Sequence, residues 1–179
     1  MITVIAAKLA AFAAAIAASA AISYSLPAFH ESTWDGNLAN GSYSSVATSF
    51  IVPTAYCGHG ESQAAFWAGL GEYTIAQAGV ALDCSGGHAG YSAWTQFYPR
   101  AAAGLAGIVR PGNKIRVTIT RHGGTTDSAT VTDYTEHWSH TVTAYGFYAG
   151  ETAETIVEAS DGPLAAHSPF HFYATEATR

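Results

Sequence analysis

The sequence predicts an all-β protein, an antiparallel sandwich of two sheets. Three observations carry that prediction. From Tyr43 onward, short runs rich in Val, Thr, Tyr, Phe and Ile alternate with Gly, Pro, Asn or Asp breaks, the pattern of short strands joined by turns. In KIRVTITR (Lys114 to Arg121), Ile115, Val117 and Ile119 alternate with Arg116, Thr118 and Thr120, which makes one strand face apolar and the other polar. Beyond the N-terminal region no segment carries an apolar stripe of helical period. The Ala-rich run from Arg100 to Ile108 offers a short turn of helix at most.

Taken in order, residues 1–20 (MITVIAAKLAAFAAAIAASA) hold one charge, Lys8, then an apolar stretch closing on Ala18-Ser19-Ala20. That is the layout of a secretory signal peptide cleaved before Ala21. The Ala-dominated stretch is weak for membrane spanning, so an exported protein free of the membrane is expected. Residues 21–31 read as an N-terminal linker, and STWDGNLANGS (Ser32 to Ser42) as turns. A single domain then covers residues 32–179, with strands predicted at 43–52, 63–70, 73–81, 90–98, 114–121, 127–134, 137–145, 152–158 and 169–174.

The composition supports a folded chain. Of 179 residues, 49% are hydrophobic and 12% aromatic, enough to bury a core. Only 11% are charged, well below the roughly 25% usual in globular proteins. A surface so poor in charge and rich in Tyr, Thr and Ser suits a secreted β-protein. The formal charge is −6 with eight histidines neutral, so mild acidification reverses its sign. No Lys/Arg cluster exists to engage nucleic acid. The two cysteines, Cys57 and Cys84, are an even count in an exported chain and predict a disulfide.

Several catalytic constellations are absent: GxSxG, HExxH, the Asp-Thr-Gly or Asp-Ser-Gly pair, and a phosphate-cradling glycine loop. His137 and His140 would point to opposite faces of a strand. His167 and His171 would share a face but lie roughly 13 Å apart. Neither pair can chelate one ion, so no metal and no cofactor is expected. The carboxylates fall mostly in turns. Glu154 and Glu158 instead share one face of the otherwise apolar AETIVEASDG segment (Ala153 to Gly162). Partial burial there would raise their pKa values, as general acid/base chemistry requires. A solvated edge strand would account for the same two glutamates. Gln77 lies between Ala76 and Ala78 in a predicted strand, where small neighbours leave its amide accessible.

The ordered motifs resemble those of the glutamic peptidases (eqolisins). STWDG (Ser32 to Gly36) is similar to the family's early Trp motif and FIVP (Phe50 to Pro53) to its first strand. FWAGLG (Phe66 to Gly71), IAQAGV (Ile75 to Val80) and YSAWTQFYP (Tyr91 to Pro99) resemble the segments that follow. IVRPGNKIRVTI (Ile108 to Ile119) and AETIVEASDG complete the order, so the likeness runs from Ser32 to about Tyr173. The resemblance implies a concanavalin A-like sandwich with polypeptide substrate across one sheet, no cofactor, and a monomer. It implies a catalytic Gln–Glu dyad, Gln77 with Glu158, and Glu154 as the second candidate for the acid. It also implies substrate contacts from Trp34, Trp67, Trp94, Tyr98 and Glu154, and matches Cys57 and Cys84 to a cysteine pair of some relatives. Gly71, Ala81 and Gln96 stand where fungal members carry acids, and Thr155 replaces an aromatic residue. The expected function is a secreted acid endopeptidase working near pH 3–5. The alternative is a non-catalytic secreted sandwich that binds carbohydrate or peptide on a platform of Trp67, Trp94, Tyr98 and Tyr91.

Overall fold

The computed structural model describes residues 28–31, 33–145, 151–160 and 162–179. The expected signal peptide and residues 21–27 of the linker lie outside them. Among the described residues twelve strands form two antiparallel sheets. The first sheet contains β1 (Ala28–Glu31), β2 (Trp34–Asn40), β11 (Thr152–Glu158), β4 (Ser62–Leu70), β5 (Ala76–Ser85), β6 (His88–Phe97) and β7 (Ala103–Gly104), in that spatial order. The second runs β10 (Trp138–Tyr145), β9 (Thr126–Asp133), β8 (Lys114–Arg121), β3 (Ser45–Ile51) and β12 (Tyr173–Thr178). Among the described residues there is no helix.

Alternation places the core between the sheets. Ile115, Val117 and Ile119 are fully buried, as the pattern of KIRVTITR requires. They meet Phe66, Val80 and Leu82 from the first sheet in one apolar cluster. Phe50 of β3 lies 6.3 Å, centroid to centroid, from Phe66 of β4 across the interface. Phe170 closes the same corner, 5.5 Å from Phe50 and 4.6 Å from Phe66. Side chains on the other face of β4, β5, β6 and β11 look away from this core, and that outer face carries the candidate chemistry.

Several elements differ from expectation. Residues 34–40, read as turns, form β2, and residues 28–31 of the linker form β1. Gly36 explains the first: a Cβ there would stand 2.1 Å from the Thr155 carbonyl oxygen. Its glycine is a close-approach residue inside a strand, the alternative meaning of an interior glycine. The Ala-rich run forms no helix; it contributes only the two-residue edge strand β7. The last strand begins at Tyr173 rather than 169, because Phe170 and Phe172 pack against the core as plugs. His137 occupies a left-handed turn position (φ 57°) between β9 and β10 rather than a strand. His167 sits before β12, with its ring 5.1 Å from Phe66.

Cys57 and Cys84 are joined, with Cα atoms 5.3 Å apart. The bond ties the loop after β3 to the far end of β5, the strand that carries Gln77.

Candidate active site

Register across four neighbouring strands assembles the site. Glu154 of β11 stands opposite Gly69 of β4, Gly69 opposite Gln77 of β5, and Gln77 opposite Gln96 of β6. Residues directly opposed in antiparallel strands present their side chains on the same face. The next outer row reads Ile156, Trp67, Gly79, Trp94, and the one after it Glu158, Ala65, Ala81, Ser92.

This register sets the two candidate acids at different distances from Gln77. Gln77 and Glu158 are two strands apart and four residues out of register, a Cα separation of about 16 Å from strand spacings. Gln77 and Glu154 are two strands apart in one row, about 10 Å, with Gly69 between them. The sequence places both glutamates on one strand face; only the pairing with β4 says which stands level with Gln77. That residue is Glu154.

Glu154 is 4% exposed, and burial is the main cause that raises its pKa from 4.5 to about 7. Charge on Glu158 and Glu72 adds to the rise, while the Thr152 hydroxyl opposes it. That hydroxyl oxygen lies 2.5 Å from both Glu154 Oε1 and the Gly71 carbonyl oxygen. One hydroxyl proton cannot serve two acceptors. A protonated Glu154 donates to Thr152, which donates on to Gly71; an ionised Glu154 must compete for the single proton. Burial therefore outweighs the Thr152 contact in favouring the neutral acid.

Gln77 is held by amides rather than carboxylates. Its Nε2 donates to Gln96 Oε1 at 2.6 Å, and Gln96 Nε2 donates to the Arg100 carbonyl oxygen at 3.0 Å. The backbone acceptor fixes which end of the Gln96 amide is the donor, and Gln96 in turn orients Gln77. One N–H of Gln77 remains for another acceptor. None of these bonds depends on titration.

The glycines of the rows are spacers. A Cβ at Gly69 would meet Trp67 Cζ3 at 2.8 Å, Ile75 Cγ2 at 3.2 Å and Gln77 Cβ at 3.4 Å. A Cβ at Gly79 would stand 2.1 Å from the Phe66 carbonyl oxygen. The first leaves room for the Trp67 ring and Ile75 to pack over β4 in the row of Gln77 and Glu154, and the second lets β4 and β5 pair closely. Above them lies a cavity of about 530 Å³, whose lining includes Gln63, Gln77, Trp94, Gln96, Tyr98 and Glu158.

Of the expected substrate contacts, Trp94 and Tyr98 line this cavity. Trp67 is buried, 2% exposed, and its indole N–H donates to Glu158 Oε2 at 3.1 Å. Trp34 packs beside it, opposite Glu158 on β2. Both belong to the floor rather than the wall. Tyr91 faces the other way: it packs on the inter-sheet core, donates to the Pro53 carbonyl and accepts from the Ala55 N–H. The four-residue stacking platform therefore does not form. Among the described residues no group of three His, Cys, Asp or Glu side chains could hold a metal ion.

Residues 32–179 match the family described as the peptidase A4 family. The chain belongs to this family. It is similar to aspergillopepsin-2 of Aspergillus niger, with 29% identity over 154 residues, or 72% of this chain and 55% of that protein. The chain thus spans about half the length of the curated relative it matches. Its fold is similar to the crystal structure of scytalido-glutamic peptidase with a transition state analog inhibitor. There the TM-score is 0.73, with 25% identity over 83% of this chain and 81% of that one. Aspergilloglutamic peptidase from Aspergillus niger gives a TM-score of 0.52, with 31% identity over 60% of this chain and 69% of the other. The all-β sandwich expected from the sequence is the architecture of these eqolisins.

Three site residues escaped the sequence reading. Thr152 carries no motif, and nothing in the sequence singles it out. Gly69 and Gly79 could have been flagged, because a glycine inside an apolar strand signals close approach.

Proposed function

We propose that this chain is an endopeptidase that hydrolyses peptide bonds with Gln77 and Glu154. Glu154, the second candidate, here takes the role the family resemblance implied for Glu158. The observation that supports this most directly is the shared row of Glu154, Gly69 and Gln77, of which Gln77 lines the cavity. The inhibitor complex of scytalido-glutamic peptidase adds support for polypeptide substrates.

In the proposed reaction, ionised Glu154 accepts a proton from a water molecule lying between the two side chains. The hydroxide so formed attacks the scissile carbonyl carbon. The free N–H of Gln77 donates to the oxyanion, a contact worth typically about 10²–10³-fold. Glu154 then returns its proton to the departing amine and regains its charge, a general acid–base contribution of about 10²–10⁴-fold. Gln96 acts as a positioning residue by holding the Gln77 amide. Every step uses this chain's side chains and water.

The same burial moves the expected pH range. With Glu154 half ionised near pH 7, the base is the minor form at pH 3–5. The rate in the free site therefore rises with pH toward neutrality, about tenfold per unit on the acid limb. Export is supported by the Cys57–Cys84 disulfide, which belongs to oxidising compartments. N-terminal sequencing of protein recovered from culture medium, with Ala21 as the expected first residue, tests it. A monomer is expected on sizing by light scattering.

Activity is tested with an internally quenched peptide library on wild type, Glu154→Gln and Gln77→Ala. Glu154→Gln is expected to lose at least 10²-fold in kcat/KM. Full activity in Glu154→Gln, with loss confined to Glu158→Gln, would return the dyad role to Glu158.

A further inference from the structure

The hydrogen bonds that hold Gln77 do not stop at Gln96. Gln96 Nε2 donates to the Arg100 carbonyl oxygen at 3.0 Å. The Arg100 side chain then reaches the other sheet, where its Nη2 donates at 2.9 Å to the carbonyl oxygen of Tyr145, the last residue of β10. We propose that Arg100 is a positioning residue that ties the Gln77 amide to the second sheet and keeps its N–H aimed at the oxyanion. This rests on the peptidase reading and adds a residue to the machinery of that same site.

The surroundings of Arg100 give this bond its weight. Residues 98–104 are all exposed, and the edge strand β7 pairs with β6 only through Ala103 and Gly104. The backbone bonds of the turn that presents the Arg100 carbonyl stay local. Arg100 N–H donates to the Phe97 carbonyl at 2.9 Å and Tyr98 N–H to the Ile75 carbonyl at 2.8 Å; Phe97 ends β6 and Ile75 precedes β5. A segment with so little buried apolar surface opens readily. The guanidinium bond instead links residues 45 apart in sequence. It ends on a strand paired with β9 from Trp138 to Tyr145, and so holds a local turn to the body of the sandwich.

The chemistry depends on that hold. A carboxamide has a donor end and an acceptor end, exchanged by a half-turn. The Arg100 carbonyl is the contact that fixes which end of Gln96 faces Gln77. When the turn drifts, Gln96 is free to flip and present an NH2 group, and Gln77 must rotate to answer it. The N–H meant for the oxyanion is then misdirected. That loss is felt where the oxyanion forms, in the transition state, so it lowers kcat and leaves KM unchanged. Guanidinium and amide groups do not titrate near neutrality, so the acid limb of the rate profile stays in place.

The test measures kcat and KM on one quenched peptide for wild type, Arg100→Ala, Arg100→Lys, Gln96→Ala and the Arg100→Ala/Gln96→Ala double variant. Arg100→Ala is expected to lower kcat about 3- to 10-fold, the worth of one hydrogen bond, with KM and the acid limb unmoved. Arg100→Lys, which keeps a charged donor on a long stem, is expected to regain at least half of the wild-type rate. In the Gln96→Ala background the loss of Arg100 is expected to change kcat by a factor of about one. Alongside, the side-chain amide NMR signals of Gln77, assigned by their absence in Gln77→Ala, are expected to move toward the free-glutamine position in both Arg100→Ala and Gln96→Ala. If wild type cleaves no peptide, the peptidase reading fails, and the Gln77 signals alone decide whether Arg100 holds the amide. Unmoved Gln77 signals in Arg100→Ala, or an equal loss of kcat with and without Gln96, overturn the proposal.

Discussion

Replacing Glu154 by Gln should stabilise the protein at neutral pH while abolishing its chemistry. In the folded chain the carboxyl holds its proton to about pH 7 against 4.5 for a free glutamate. Between those values the folded state binds more protons than the unfolded one, so stability falls as pH rises. Below about pH 4.5 both states are protonated and there is no penalty; above 7 the penalty is complete. At 1.36 kcal/mol per unit, the shift corresponds to about 3 kcal/mol. Gln keeps the shape and a hydrogen-bonding group but cannot titrate. The difference in unfolding free energy, variant minus wild type, should therefore grow by up to about 3 kcal/mol from pH 4 to pH 8. For a domain of this size that is a Tm difference of about 6–12 °C. Urea unfolding of both proteins, disulfide intact, across pH 4–8 measures it, since titration of all other groups cancels in the difference. A difference that stays flat across that range refutes the claim that Glu154 is a buried, neutral acid.

Other consequences follow from the same geometry. Gln77→Ala should lower kcat by about 10²–10³-fold with little change in Tm, because it removes an oxyanion donor from a half-exposed position; an unchanged kcat would remove Gln77 from the mechanism. Gly69→Val should cost activity more than folding, since its side chain would displace the Trp67 ring and Ile75 beside Gln77, whereas Gly79→Val should prevent folding by striking the β4 backbone. Circular dichroism and turnover on the two variants separate these outcomes, and an active Gly69→Val protein would count against the dyad. Reduction of Cys57–Cys84, which closes a loop with a sequence separation of 27, should cost about 3–4 kcal/mol in the chain-entropy account, read as a lower urea midpoint in reductant.

The strands most legible in the sequence were those whose two faces differ in polarity. β8 announces itself because Ile115, Val117 and Ile119 face a core while their neighbours do not, and its predicted bounds match the structure. β2 was missed because its glycine, aspartate and asparagines read as turn residues. Only the approach of Gly36 to the Thr155 carbonyl shows why a strand there needs a glycine. The Ala-rich segment after Arg100 offers a short turn of helix at most on intrinsic propensity, and pairing with β6 overrides it. Tyr91 and Trp67 looked like members of an exposed aromatic platform. Composition cannot say which face of a strand such a ring occupies.

By itself the sequence determined the all-β class, the disulfide pair, the family, and the presence of one amide and two acids suited to hydrolysis. Those follow from local periodicity and from residue identity, which are written along the chain. Which acid stands level with the amide was decided only by tertiary structure. Strand register is a relation between segments remote in sequence, and a shift of four residues moves a carboxylate by about 13 Å without altering a single local preference. The same holds for the proton on Glu154. Its retention depends on burial by segments the fold brings over it, which cannot be read from the residues that flank it.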